Sequence, residues 1–153
     1  MAFLLCFLFG FVDGLRSLTP PAIVCWAAHL GWLHFAGTKF AFIDHRSSLV
    51  AFTLLAIVEL VVDKLPNTPP RTAPLGLIAR IVLGGSSGMA LATSAGISVA
   101  LAGVFAAIGA IAGAFGGYNV RRAVVSRTQL PGLVAITEDA ITIVGGLLII
   151  SHI

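Results

Sequence analysis

The side chains best placed to do chemistry in this sequence are Arg16, Ser17, Thr19, Glu59, Arg80, Glu138 and Asp139. The first three stand in the stretch "RSLTPP", between two apolar runs. Proline lacks a backbone donor and clashes with the preceding turn, so Pro20 and Pro21 predict a break. Thr19 reads as a helix N-cap, with Pro20 at the first helical position. The second half-helix then points its N-terminus, with free N–H groups and about half a positive charge, into the break. Arg16 and the hydroxyls of Ser17 and Thr19 add donors there. The pattern suits an anionic group.

The acidic candidates lie elsewhere. Glu59 and Asp63 are four positions apart, on one face of a helix. Arg80 stands about two turns into the next apolar segment, and Glu138 with Asp139 about two turns into the last. The rise per residue brings Glu59, Arg80 and the Glu138–Asp139 pair to similar depth. Bare charges at such depth are costly, so they are expected to pair, with Arg80 at the centre. Asp13, three residues before Arg16, is a second candidate to neutralise that arginine. The belt has two readings: ion pairs that fix helix packing, or a proton- or ion-coupled site.

The elements that position these residues follow from composition. Of 153 residues, 58% are hydrophobic and 10% charged, against about a quarter charged in an ordinary soluble domain. Mean hydropathy is +1.06. A soluble fold of this length could not hide so much apolar surface. The expected fold is an all-α, polytopic transmembrane helix bundle, a single domain over 1–153, with about five to six helical segments. Four spans are expected over Ser47–Asp63, Ala73–Ala92, Ala95–Gly117 and Pro131–Ile153. Before them comes a segment broken at Arg16–Pro21, which either spans once or enters and leaves. The start of the chain has no basic region, so it reads as structural rather than as a cleaved signal. A second "TPP", Thr68-Pro69-Pro70, followed by Arg71, reads as a loop opening the next helix. A loose likeness between the two halves raises an inverted repeat of three plus three segments.

Lys64, Arg71, Arg121, Arg122 and Arg127 fall on one face, and Lys39 and Arg46, offset by Asp44, on the other. The positive-inside rule makes the first face cytoplasmic and puts the C-terminus outside. Gly109, Gly113 and Gly117 recur every four residues, as do Gly84 with Gly88 and Gly10 with Gly14. Such faces let membrane helices approach closely, within the monomer or in a homo-oligomer.

Other classes are disfavoured. The net charge is +3, from scattered basic residues without interleaved aromatics, which excludes a nucleic-acid partner. Cys6 and Cys25 sit in apolar runs and read as small packing groups. No metal spacing, cofactor motif or nucleophile–base set is present, so no metal, cofactor or catalytic residue is expected. Arg121 and Arg122 beside Tyr118 leave a lipid head-group enzyme as a minor alternative.

Four blocks, "GLRSLTPPAIVCWAAHLGW", "ELVVDKLPNTPPRTAPLGLIARI", "GAFGGYNVRRAVV" and "LPGLVAITEDAI", carry a resemblance over nearly the whole chain. Together they resemble the bacterial integral-membrane family of domain of unknown function 4126. The resemblance implies a small polytopic inner-membrane protein and no known activity. It places Gly14, Arg16, Thr19, Pro20, Glu59, Asp63, Lys64, Thr68, Arg71, Arg80, Gly117, Tyr118, Arg121, Glu138 and Asp139 in the family's motif.

The functional expectation is a transporter or channel for a small anionic or polar solute. Its solute would be bound by Arg16, Ser17, Thr19, Glu59, Arg80, Glu138 and Asp139. The alternative is a non-catalytic membrane module that packs against a partner. The expected surroundings are the lipid bilayer of the bacterial inner membrane.

Overall fold

The computed structural model describes residues 1–65 and 72–153. The second Thr-Pro-Pro and Arg71 lie outside the described residues. Among those described there are six α-helices and no strand: α1 (Ala2–Leu15), α2 (Thr19–His29), α3 (Arg46–Val62), α4 (Pro74–Ala95), α5 (Val99–Thr128) and α6 (Pro131–Ile150). A 3-10 turn covers Ala41–Asp44.

α4, α5 and α6 are long and apolar enough to cross a membrane. The fourth expected span forms α3 with 17 residues. At 1.5 Å per residue it measures about 26 Å, short of a hydrocarbon core of about 30 Å. Large apolar side chains point outward on every long helix, among them Val58, Val82, Ile108 and Val144. Small ones fill the inside. On α5 the buried stripe is Ala102, Gly103, Ala106, Gly109, Ala110, Gly113, Ala114 and Gly117. Large residues outside and small ones inside reverse the soluble pattern and match helix packing in lipid.

The glycine faces pack inside this chain. A Cβ on Gly10 would collide with the Ala106 carbonyl, and one on Gly113 with that of Phe11. A Cβ on Gly84 would come within 2.9 Å of the Ala110 Cβ. α1 therefore lies against α5 backbone to backbone and runs parallel to it, with α4 antiparallel to both. The faces of Gly10–Gly14, Gly84–Gly88 and Gly109–Gly113 are thus used by packing within the monomer, the first of the two uses expected from the sequence.

The N-terminal unit folds back on itself. Phe9 of α1 and Ile23 of α2 both meet Gly146 of α6, while Arg16 between them meets Asp139. The chain thus descends in α1, turns at Arg16–Leu18 and returns in α2, so the segment enters and leaves. Asp139 is eight residues into α6, so the turn sits about 12 Å inside the end of that helix. Apolar residues, including Cys6, Phe9, Leu33, Phe35, Leu91 and Ile150, pack in the half of the bundle away from the turn.

Candidate functional site

The turn between α1 and α2 gathers the charges. Arg16 is extended, with φ −142° and ψ 115°, and its side chain is fully buried. Leu18 is the N-cap of α2 and the helix begins at Thr19, one residue ahead of the sequence-based boundary. No side chain of α2 caps it locally. The two prolines fall in the first turn, where their missing N–H groups would lack partners anyway.

Glu59 supplies the cap from α3. Its Oε1 accepts hydrogen bonds from the Ser17 backbone N–H (2.7 Å) and the Ser17 hydroxyl (2.6 Å). Its Oε2 accepts from the Leu18 N–H at 2.9 Å. A carboxylate at a helix N-terminus is held both by these donors and by the helix dipole. The donors at "RSLTPP" are taken up by a carboxylate of the protein itself.

Among the described residues Arg16 pairs with two carboxylates, a role the sequence reading gave to Arg80. Its Nη1 donates to Asp63 Oδ2 and its Nη2 to Asp139 Oδ1. Lys64 Nζ adds a contact to Asp139 Oδ2 at 3.1 Å, and Arg121 Nη1 reaches Glu138 Oε2 at 3.5 Å. Arg80 Nε donates to the Gly14 carbonyl at 3.2 Å, and its Nη1 to the Gly76 carbonyl at 3.1 Å. It thus ties α4 to the end of α1 beside the network. The placement of Arg16 has a plain cause. An arginine on an extended turn residue projects between α3 and α6, whereas Arg80 is fixed on a helix that faces α1.

Asp13 does not neutralise Arg16. Both its carboxylate oxygens are buried without a hydrogen-bond partner, as are Arg16 Nε and Thr19 Oγ1. Of the sequence-derived candidates, the structure brings together Arg16, Ser17, Glu59 and Asp139, with Glu138 on the residue before Asp139 and Arg80 alongside. Thr19 is buried nearby but makes no polar contact. Asp63, Lys64 and Arg121 join the network although they were not among the expected solute ligands. Asp63 is legible in the sequence as the neighbour of Glu59 on one helical face, but not as a partner of Arg16. No group of three or more His, Cys, Asp or Glu able to hold a metal occurs among the described residues.

A helical bundle with three helices suited to crossing a lipid bilayer, organised about a buried arginine at a re-entrant turn, is the class that fold and site define. The family model for domain of unknown function 4126 matches residues 4–152, and the chain belongs to that family. No curated protein and no solved structure matches it.

Proposed function

We propose that the protein is a transporter or channel for a small anionic or polar solute, and not an enzyme. Arg16, the Ser17 hydroxyl and the N-terminus of α2 form its solute site. In the closed state Glu59, Asp63 and Asp139 stand where the anionic part of the solute would bind. Opening exchanges these internal carboxylates for the solute, with Glu138 and Arg80 at the edge of the path.

One observation carries this reading: carboxylates from two other helices, α3 and α6, converge on a buried arginine and on a helix N-terminus. A buried ionic cluster contributes little stability compared with well-packed apolar residues of similar volume. Ionisable groups inside a membrane bundle point to function by default, and broken helices at depth serve as solute sites in transporters. We place the protein in the bacterial inner membrane with the C-terminus outside, since Lys64, Arg121, Arg122 and Arg127 gather at the end of the bundle nearer the turn.

Tracer flux in proteoliposomes tests this. Phosphates, carboxylates and inorganic anions are supplied to wild type, Arg16→Ala and Glu138→Gln. Uptake of one anion class that is lost in Arg16→Ala supports the reading. Flux unchanged in both variants removes the proposed site. Absence of flux for every solute, with folded protein, leaves a non-catalytic packing module whose ion pairs only fix the helices.

A further inference from the structure

A second feature borders the Arg16 turn on the side of α5 and α6. The C-terminal part of α5 and the N-terminal part of α6 diverge around a groove of about 460 Å³, closed on its inner side by Phe11 and Leu15 of α1. That volume falls within the range of small-molecule sites, about 300–1,000 Å³. Its walls include Val120, Val124, Leu133 and Ile141, and its polar groups include Arg121 and Glu138. Val120 and Leu133 are 63% and 60% exposed, so the groove opens sideways onto the apolar exterior of the bundle. In a bilayer that opening faces acyl chains rather than water.

Its inner edge carries one cation, Arg121, and one anion, Glu138. Arg121 meets Glu138 at 3.5 Å, longer than the roughly 2.7–2.9 Å of a well-made charge-assisted bond. Arg122, on the same turn, and Arg127, nearly two turns further along α5, are exposed. We infer that this groove binds one anionic lipid, its phosphate on Arg121, in competition with Glu138, and its acyl chain running inward along Val120 and Ile141. A zwitterionic lipid offers the same chain without the net charge, and free phosphate offers the charge without the chain. The groove shares Glu138 with the proposed solute path, and its lipid binding is measured separately from flux.

The test uses the full chain in mild detergent, titrated with phosphatidylglycerol or phosphatidylcholine of identical chains and read by native mass spectrometry. Inorganic phosphate serves as competitor. Phosphatidylglycerol is expected to bind at least about tenfold more tightly than phosphatidylcholine, as loss of a charge-assisted contact would give. Arg121→Gln is expected to erase that preference. Val124→Trp, which fills the groove from its open side, is expected to abolish binding of both lipids, whereas Arg127→Gln changes affinity by less than about twofold, as for a screened surface charge. Equal binding of the two lipids overturns the inference. So does binding that survives Val124→Trp, or phosphate competing in the millimolar range, which would make the site one for free anions. An equal loss in Arg127→Gln and Arg121→Gln also overturns it, because attraction to a basic surface would then suffice. If a variant melts early, the same titration on Val124→Leu, which narrows the groove without a ring, must show weakened binding, or the inference falls.

Discussion

Arg16 and Asp139 are 123 positions apart and are joined side chain to side chain, with Asp63 on the other nitrogen of the same guanidinium. The arginine thereby clamps α3 and α6 to the turn between α1 and α2. Because the arginine is fully buried and the carboxylates nearly so, removing one partner leaves charge without compensation. Arg16→Ala is expected to cost about 3–5 kcal/mol, read as a lower melting temperature in detergent. Replacing Arg16, Asp63 and Asp139 together by apolar residues is expected to cost much less than the sum of single changes. Additive losses would show that the three do not act as a unit.

Glu59 gives a different signature because it serves donors of one short segment. Its two oxygens accept from the N–H groups of Ser17 and Leu18 and from the Ser17 hydroxyl. Glutamine keeps one accepting oxygen, and alanine keeps none. Glu59→Ala is expected to destabilise by about 1.5–3 kcal/mol, with Glu59→Gln at roughly half that loss. Ser17→Ala removes a single donor and is expected to cost about 1 kcal/mol. Hydrogen exchange at the start of α2 should rise in Glu59→Ala. An unchanged exchange rate would mean that the cap does not hold that helix.

How much of this was legible in the residues depends on whether the signal was local. The break at "RSLTPP" was, because proline geometry acts on its own neighbours, and so was the membrane character, which is compositional. The small-residue stripe of α5 gave helix contact but not its partner. Only the packing shows that Gly109 and Gly113 receive α1, so their faces are not free. The pairing of charges was the least legible. The spacing gave the common depth of Glu59, Arg80 and Asp139, but not which arginine stands between α3 and α6. That choice depends on the extended backbone at Arg16, a consequence of the reversal between α1 and α2. Prolines alone did not separate such a reversal from a continued span.

The glycine packing makes a graded prediction. Gly113→Ala and Gly10→Ala put a methyl into the backbone of the facing helix. Each is expected to destabilise by about 1–3 kcal/mol, as overpacking does. Gly132→Ala meets nothing within 4 Å and is expected to be neutral or slightly stabilising. Thermal melts of the three variants decide it. If Gly113→Ala melts with wild type, α1 and α5 do not approach as closely as described.

Asp13 differs from Asp139 although both are aspartates at the level of the turn. Asp139 meets Arg16 and Lys64, while the oxygens of Asp13 have no hydrogen-bond partner. A buried charge without partners is costly, and a neutral isostere of the same shape avoids that cost. Asp13→Asn is therefore expected to melt at or above the wild-type temperature, and Asp139→Asn below it. A loss in Asp13→Asn as large as that in Asp139→Asn would show that the Asp13 carboxyl is held by a neighbour such as the Ser87 hydroxyl.

The course of the last helix provides a test of orientation. Ser126 lies near the end of α5 on the side of the Arg16 turn, and Ser151 lies just past α6 at the other end of the bundle. Both are exposed, whereas the native Cys6 and Cys25 are buried. Single cysteines at the two serines therefore report the two faces with little background. A thiol reagent that does not cross membranes is expected to label Ser151→Cys in intact cells, and Ser126→Cys only after permeabilisation. The cluster of Arg121, Arg122 and Arg127 beside Ser126 is the reason for that direction. The opposite pattern would invert the orientation and leave the helix arrangement intact. Labelling of both in intact cells would mean that α6 does not cross.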